Sequence, residues 1–476
     1  METKYYTAIG LEIHAELKTK SKMFCGCKND PDEKRPNMNI CPVCMAHPGA
    51  IPVPNKLAMK HVASVGLAIN GTVADFTEFD RKNYFYPDIP KGYQISQYKY
   101  PIVSGGNLAG MKVTRIHLEE DTGTSKHDRG DYSLVDFNRA GVPLMELVTE
   151  THIFESVDEA ARVGGAFGKE YQLLLQYLGV SEANMEKGEM RVEANISITT
   201  DPNKLGNYVE VKNLNSFKSV ERAIKYEYER MKALHEEGKA DQIVKETRGW
   251  NEAKQSTFSQ RAKESAHDYR YFPDPDIPKF KLTEVFDIEQ LKKELPELPV
   301  QKRERYQKDY GIKPEDIESY VTDHELGMWF EQISDFLKTP EKIKVASNYI
   351  TSDFLGLKKN NAEIKMPQAK NFSELIILVT DGKISSRAAK DILAMIVIED
   401  ASPLKIAEEK DLLQKNDEGA LKEIAQKIID ANGKVVESYK SGKENALMSL
   451  VGQIMKETKG SANPAVAQKI LKELLG

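Results

Sequence analysis

Residues 9–17 alternate between apolar and polar side chains, which is the pattern of a β-strand with one buried face. Ile9, Leu11 and Ile13 fall on one phase, and Glu12 and His14 fall on the other. A strand of this kind places an acid and an imidazole on the same face of a sheet. A strand whose polar face only meets water shows the same pattern, so other acidic segments must decide between the two interpretations.

A second segment, residues 112–121, combines alternation with consecutive acids. His117 and Glu119 fall on one phase of the predicted strand and Glu120 on the other. Alternation alone does not decide which of the two glutamates faces a site.

A third segment, residues 144–148, places Glu146 among apolar neighbours. An unpaired buried carboxylate is costly, so a cation is expected nearby, although an ion pair with Arg115 or Arg139 would also satisfy it. Together the three segments predict a magnesium site, because Mg²⁺ prefers oxygen ligands and lets substrate phosphates complete its shell. No phosphate-binding glycine loop accompanies these three segments. The sequence therefore favours ATP chemistry that depends on carboxylates.

Length and charge restrict the class of protein. A chain of 476 residues with 40% hydrophobic content is long enough for two to four domains. The net charge of −6 gives no global attraction to polyanions, so any nucleic-acid contact must come from a local basic patch. No apolar stretch has transmembrane length and the first residues lack a hydrophobic signal core, so we expect a soluble, cytoplasmic protein without a membrane partner.

The cysteines form two close pairs, Cys25 with Cys27 and Cys41 with Cys44. This spacing predicts two tight turns that hold one tetrahedral Zn²⁺ through four thiolates. A disulfide pair or four idle thiols are the alternatives. Four protein ligands would leave no position for a substrate, so a zinc ion in this loop (residues 25–44) would be structural.

Basic and aromatic residues alternate in residues 79–97, where Arg81 and Lys82 precede a cluster of rings. Such a loop suits phosphate binding, with its rings stacked on a base or on each other. Two later strand patterns present further polar side chains from a sheet, namely Arg191, Glu210 and Lys212.

The chain becomes helical after residues 296–299, and a final helical segment begins near residue 405. Its last helix is predicted to start at Asn463 and Pro464. Lys456, Lys459 and Asn463 surround the preceding turn, where a nucleic-acid phosphate could bind, although a solvated helix end is the more common reason for such residues.

Seven motifs spread over nearly the whole chain resemble, in order, the B subunit of the aspartyl/glutamyl-tRNA amidotransferase. They are residues 10–17 (GLEIHAEL), 80–88 with 92–97 (DRKNYFYPD, GYQISQ), 118–121 (LEED), 138–146 (NRAGVPLME), 212–217 (KNLNSF), 268–273 (DYRYFP) and 451–456 (VGQIMK).

The resemblance implies a reaction. In that family this protein uses ATP and Mg²⁺ to phosphorylate the side-chain carboxylate of glutamate mischarged on glutamine-tRNA, or of aspartate on asparagine-tRNA. Ammonia from a glutaminase partner, the A subunit, then displaces phosphate, and a small C subunit holds the pair together. Nothing in the sequence indicates which misacylated tRNA is the substrate.

The resemblance also implies a fold and a set of site residues. The expected fold is α+β, with a large mixed-sheet cradle domain (1–292), an all-helical domain (293–404) and a small helical tail domain that contacts tRNA (405–476). The family's metal positions match Glu12, His14, Glu120 and Glu146, so the choice of Glu120 over Glu119 rests on the resemblance. The expected contacts to ATP or substrate are Arg81, Lys82, Arg191, Glu210 and Lys212.

One departure and two alternatives accompany this interpretation. Val192 and Glu193 stand where the family usually has Cys and Asp, so Glu193 is not included in the predicted site. A related archaeal subunit specific for glutamine-tRNA usually carries an inserted domain, for which this chain has no room. A non-catalytic tRNA-binding scaffold is the other alternative, and the intact acidic motifs argue against it.

Overall fold

The computed structural model describes residues 3–127, 130–262, 269–361, 363–414, 418–458 and 462–476. It divides into two compact units, Met1–Pro299 and Val300–Gly476. The strands lie in the first unit and the second unit is helical, which confirms the predicted α+β class. The further division of the helical part near residue 405 stays a prediction.

The first unit contains strands of very different length. They are β1 (Tyr6–Glu16), β2 (Thr72–Val73), β3 (Phe76–Thr77), β4 (Asp80–Asn83), β5 (Tyr93–Ser96), β6 (Val103–Ser104), β7 (Asn107–Leu108), β8 (Met111–Glu120), β9 (Thr124–Lys126), β10 (Leu134–Asp136), β11 (Pro143–Thr149), β12 (His152–Phe154), β13 (Met190–Thr199), β14 (Val209–Leu214), β15 (Glu246–Asn251), β16 (Ser256–Ala262), β17 (Phe272–Pro273) and β18 (Phe280–Lys281).

Helices occur in both units. Those of the first unit are α1 (Lys56–Ala68), α2 (Val157–Tyr177), α3 (Phe217–Glu236), α4 (Leu282–Val285) and α5 (Ile288–Lys293), and α6 (Pro299–Arg305) begins at the boundary. Those of the second unit are α7 (Pro314–Thr322), α8 (His324–Leu337), α9 (Pro340–Asn348), α10 (Leu355–Asn360), α11 (Ala369–Thr380), α12 (Ser386–Glu399), α13 (Pro403–Glu409), α14 (Glu418–Ala431), α15 (Gly433–Lys440), α16 (Asn445–Glu457) and α17 (Pro464–Leu475).

One large mixed sheet organises the first unit. Its main path runs β16-β15-β14-β13-β1-β11-β8-β6-β2, with β12 beside β1 and β7 beside β8. The β14–β15 pair is parallel and the other pairs are antiparallel. The long central strands β8, β11 and β1 are neighbours although they are far apart in sequence, which brings the three acidic segments together.

The predicted alternation in β1 is confirmed, because its apolar phase is buried. Ile9, Leu11 and Ile13 are fully enclosed, and each such side chain contributes about 1.5–3 kcal/mol through burial. This face of the sheet packs on α2 and α3, which also pack on each other. Gly164 of α2 permits the close approach, since a Cβ there would lie 3.3 Å from Ile9 Cδ1 and 2.9 Å from Ile224 Cδ1.

The helical unit packs through two kinds of contact. Tyr320 and Phe330 stack with ring centroids 4.1 Å apart at the centre of the early helices. The last helices share a separate apolar cluster that includes Leu450 and Leu471. The predicted start of the last helix is confirmed, because Asn463 caps α17 by accepting from the N–H groups of Ala465 and Val466.

Within the described residues, we find no helix of sufficient length and apolar character to cross a lipid bilayer.

Candidate active site

Five neighbouring strands, β8, β11, β1, β13 and β14, form the base of one cavity. His14 pairs with Glu146 on β11 and with Arg191 on β13, and Glu146 pairs in turn with His117 on β8. Residues paired across adjacent strands project from the same face of a sheet. The acidic segments recognised in the sequence therefore present their polar side chains to a common space.

Glu146 is buried between two imidazoles. Its Oε2 lies 3.3 Å from His14 Nε2 and 3.2 Å from His117 Nε2. Glu119 lies beside them, with Oε1 3.8 Å from His14 Nε2. His14, Glu119 and Glu146 each offer one ligand atom within 4.8 Å of the others. These three residues, called here the first acidic group, could coordinate a single divalent cation.

Glu120, the glutamate expected to bind the metal, lies outside the first acidic group. Its carboxylate accepts a hydrogen bond from Lys91 Nζ at 2.6 Å and another from the backbone N–H of Ile95 at 2.9 Å. Consecutive strand residues point to opposite faces. Glu119 therefore shares the face of His117, and Glu120 is committed to a buried ion pair on the other side.

A second acidic group consists of Glu12, Glu193 and Glu210, which offer one oxygen each within 4.8 Å of one another. Lys212 neutralises part of its charge, with Nζ 2.8 Å from Glu193 Oε2 and 3.7 Å from Glu210 Oε1. Asn195 Nδ2 donates to Glu12 Oε1 at 3.0 Å. The structure thus separates Glu12 from His14 into neighbouring groups.

Three of the predicted cationic residues line the cavity, namely Lys82, Arg191 and Lys212. Arg191 Nη2 lies 3.1 Å from Asp121 Oδ2. Lys82 Nζ lies 5.2 Å from the centre of the Tyr269 ring, a distance at which a cation is attracted to the ring face. These groups are placed to meet phosphate or carboxylate oxygens of a substrate.

Arg81, which was expected to contact ATP or substrate, does not line this cavity. Its Nε lies 2.7 Å from Asp274 Oδ2 and its Nη2 lies 3.1 Å from Asp276 Oδ2. Arg81 and Lys82 are consecutive on β4, so their side chains leave the strand on opposite faces. Arg81 consequently holds a surface loop.

The electrostatics of the cavity favour cations near the first acidic group. Burial lowers the pKa of His14, but the charge of Glu146 and its hydrogen bond outweigh burial and raise this pKa to about 9. Burial also lowers the pKa of Lys82, while the charge of Glu119 raises it, and the net shift is upward. Burial raises the pKa of Glu146, but His117 and His14 hold it well below its usual range.

The pKa of Glu12 is raised, in contrast to that of Glu146. Burial raises its pKa, and the charges of Glu146, Glu193 and Glu210 raise it further, while the hydrogen bond from Asn195 lowers it. A cation bound between the two acidic groups would relieve this repulsion.

The cavity is open and polar, with a volume of about 370 Å³. Its carboxylates are those of Glu12, Glu119, Asp121, Glu146, Glu193 and Glu210. Tyr84, Tyr269 and Tyr271 form an aromatic side wall. An arrangement of acids facing lysine and arginine can hold a cation together with the phosphates that it accompanies.

The four cysteines, which all lie in the described part of the chain, are free thiols gathered at one point. Each sulfur lies within 4.8 Å of the others. The hydrogen bond from Cys25 lowers the pKa of Cys44 to about 5, and burial raises that of Cys27 to about 11. Four sulfurs at this spacing suit a tetrahedral Zn²⁺.

Comparison with known proteins gives full-length matches. Residues 7–287 match the family described as the GatB/GatE catalytic domain, and residues 329–475 match the GatB domain. The chain is similar to the B subunit of the aspartyl/glutamyl-tRNA(Asn/Gln) amidotransferase of Thermotoga maritima, with 44% identity over 99% of both chains. It is 44% identical to that of Caldanaerobacter subterraneus over 99% of both chains, and 40% identical to that of Gloeothece citriformis over 100% of this chain and 98% of the relative. The chain belongs to this B-subunit family.

The tail of this B-subunit chain lies within the second family match. Lys456 is exposed in the last turn of α16, and the Asn463 side chain caps α17. Lys459 lies outside the described residues. The role of these three residues in tRNA binding stays a prediction.

The two acidic groups of the B-subunit cavity, together with the second imidazole on Glu146, include three residues that were absent from the predicted site: His117, Glu119 and Glu193. His117 and Glu119 share a strand phase, and that phase becomes informative only when His117 is known to pair with Glu146. Glu193 pairs directly with Glu12 across β1 and β13. The signal that could have found these residues is strand register, which local alternation does not contain.

Proposed function

We propose that this chain activates the side-chain carboxylate of a glutamate or aspartate mischarged on tRNA and converts it to the amide. A carboxylate oxygen attacks the γ-phosphorus of ATP and ADP leaves. The nitrogen of ammonia then attacks the acyl carbon, the bond to phosphate breaks, and a proton is lost as the amide forms. The supporting observation is the cavity in which two acidic groups face Lys82, Arg191 and Lys212.

The donor set fits Mg²⁺. Carboxylate oxygens and one imidazole nitrogen come from His14, Glu119 and Glu146, and an open cavity leaves room for phosphate oxygens and water. A bound Mg²⁺ would neutralise the charge of the nucleotide phosphates. His117 holds Glu146 from the side opposite His14, so the carboxylate keeps one orientation.

The cationic side chains have separate tasks in this proposal. Lys82 is held between the aromatic wall and the first acidic group, where it can bind a phosphate oxygen. Lys212 is positioned by Glu193 and Glu210. Arg191, anchored by Asp121, can orient the substrate carboxylate through its remaining N–H groups. Phosphoryl transfer requires mainly such positioning and charge stabilisation.

The cysteine loop is proposed to bind a structural Zn²⁺. Its segment between the cysteine pairs is attached to the turn before β11, since Asn138 Oδ1 accepts from the N–H groups of Met38 and Asn39, both at 2.8 Å. A zinc ion would therefore stabilise the strand that carries Glu146 without contacting substrate.

The partners follow from the relatives, which are named as one subunit of an amidotransferase. We propose that the chain acts in the cytoplasm with a glutaminase, the A subunit, which supplies ammonia, and with a small C subunit. The full-length relatives favour this assignment over a scaffold and over the archaeal-type subunit. Lys456, Lys459 and Asn463 remain the candidates for contact with the tRNA body.

The experiment that tests this function measures ATP hydrolysis that depends on mischarged tRNA in the purified complex. Glu146→Gln should lower the rate about 100-fold or more, because the change removes a charge that supports the metal and both histidines. Glu150→Gln, at the exposed residue after β11, is the matched control and should keep full activity. Full activity of Glu146→Gln would contradict the proposal.

A further inference from the structure

The end of β8 that carries the acids is held by β5 and by the residue that follows it. Pairing between β8 and β6 ends before the acids, so the backbone groups beyond it need other partners on that edge. The Gln97 side chain accepts a hydrogen bond from the N–H of Leu118 at 3.0 Å. The Gln94 side chain donates to the carbonyl oxygen of Glu120 at 2.7 Å. Two amide side chains therefore fix the backbone on both sides of Glu119.

Ser96 lies between these two glutamines and contacts the first acidic group. Its Oγ donates a hydrogen bond to Glu119 Oε2 at 2.9 Å, and both residues are buried. A hydrogen bond to an ionised carboxylate is about twice as strong as one between neutral groups. The residues that line the cavity include Glu119 but not Ser96. An effect of Ser96 on a bound ion must therefore pass through Glu119.

The two carboxylates of the first acidic group are held by different partners. Glu146 Oε2 lies 3.3 Å from His14 Nε2 and 3.2 Å from His117 Nε2. The carboxylate of Glu119 lies farther from the same imidazoles, with Oε1 3.8 Å from His14 Nε2 and Oε2 3.9 Å from His117 Nε2. Both of these distances exceed that of a hydrogen bond. The imidazoles therefore orient Glu146, whereas the Ser96 hydroxyl orients Glu119.

The hydrogen bond from Ser96 assigns separate tasks to the two oxygens of Glu119. Because Oε2 is bound to the hydroxyl, Oε1 is the oxygen on the side of His14, where a cation would take both groups as ligands. Without the hydroxyl, the carboxylate could rotate, and binding a cation would have to fix its orientation at a cost in affinity.

We propose that Ser96 is a positioning residue for Glu119, with a hydroxyl that holds one carboxylate oxygen so that the other faces the divalent cation. The inference rests on the proposed function, because it takes the first acidic group as the cation site.

The test measures binding of Mn²⁺, in place of Mg²⁺, to the purified complex without ATP or tRNA. Electron paramagnetic resonance of the unbound ion gives both the affinity and the number of sites. Ser96→Ala should weaken Mn²⁺ binding about 10- to 100-fold without changing the number of sites. Ser96→Thr keeps the hydroxyl and should bind Mn²⁺ as the wild type does. Ser104→Ala, which removes an exposed hydroxyl from β6, is the matched control and should leave binding unchanged.

The rate of tRNA-dependent ATP hydrolysis provides a second measurement. In Ser96→Ala the Mg²⁺ concentration for half-maximal rate should rise by the same factor, while the rate at saturating Mg²⁺ should stay near that of the wild type. This result is expected because a sufficient concentration of the ion can orient the Glu119 carboxylate by itself.

A double variant shows whether Ser96 acts through Glu119. Glu119→Gln should weaken Mn²⁺ binding, and adding Ser96→Ala should cause little further loss, because the carboxylate that the hydroxyl holds is already absent. Additive losses would overturn the proposal, as would an unchanged affinity of Ser96→Ala or a loss of sites at unchanged affinity. Unchanged Mn²⁺ binding by Glu119→Gln would refute the metal site of the proposed function and this inference with it, so the two failures are distinguishable.

Discussion

The two acidic groups of the cavity differ in how their charge is balanced. The second group carries its own cation, since Lys212 lies 2.8 Å from Glu193. In the first group the carboxylate of Glu146 lies between the imidazoles of His14 and His117, and its charge raises the pKa of His14 to about 9 although burial lowers it. We therefore infer that a divalent cation binds at the first group, where it would replace the proton of His14, and not at the second group, where the ammonium of Lys212 already lies.

The largest effect that would test this difference is expected at Glu119. Glu119→Gln removes one carboxylate from the first group and should reduce tRNA-dependent ATP hydrolysis about 100- to 1000-fold. The reduction should persist at saturating ATP, because charge stabilisation of the transferring phosphoryl is lost and not merely nucleotide affinity. Initial rates across Mg²⁺ and ATP concentrations provide the measurement.

The exposed Glu150 again offers a matched control for Glu119→Gln, since Glu150→Gln makes the same chemical change outside the cavity. Its rates should equal those of the wild type. If Glu119→Gln also kept wild-type rates at every Mg²⁺ concentration, the first group would not be the metal site.

A smaller effect is expected in the second group. Glu193→Gln should lower the rate about 10- to 100-fold, because Lys212 keeps Glu210 as a partner but loses its closest one. The Mg²⁺ concentration for half-maximal rate should change less than in Glu119→Gln. A loss equal to that of Glu119→Gln would show that the groups act as a single unit.

Lys212→Met should make the second group resemble the first. Without the ammonium, Glu193 and Glu210 repel each other, and the variant should lose about 1 kcal/mol of stability once exposure to water is considered. Mg²⁺ should then raise the melting temperature of the variant more than that of the wild type, because a cation can replace the lost charge. Thermal unfolding with and without Mg²⁺ measures this difference, and identical shifts would contradict it.

The smallest effect on the two acidic groups is expected from changes in the cysteine loop. A zinc chelator, or Cys25→Ser, should lower the melting temperature by about 2–4 °C for each kcal/mol lost while the remaining folded protein keeps its Mg²⁺ dependence. The chelator should have no further effect on Cys25→Ser. A changed Mg²⁺ dependence would mean that the loop takes part in the chemistry.

Local sequence patterns predicted part of this site. Alternation placed Glu12 and His14 on the polar face of one strand because the opposite phase, Ile9 to Ile13, must be buried. The sequence pattern of residues 79–97 predicted a basic and aromatic loop, and both Arg81 and Lys82 were assigned to ATP or substrate without a strand phase to separate them. The structure shows that only Lys82 lines the cavity.

The remaining part depended on contacts between distant strands. Glu119 and Glu120 are adjacent acids, and the choice between them follows from His117 pairing with Glu146 and from Lys91 binding Glu120. Neither contact produces a recognisable pattern in the local sequence. The fold class was predictable because alternation and helical periodicity change abruptly near residue 299, where the first compact unit ends.

The proposed chemistry depends on His14, Glu119 and Glu146 holding together the cation that accompanies ATP. Anomalous scattering from crystals of the complex soaked with Mn²⁺ in place of Mg²⁺ would locate that cation. We expect a peak bonded to the imidazole of His14 and to the carboxylates of Glu119 and Glu146. A peak on Glu120, or the absence of any peak at the first acidic group in crystals that bind Mn²⁺ elsewhere, would contradict this assignment.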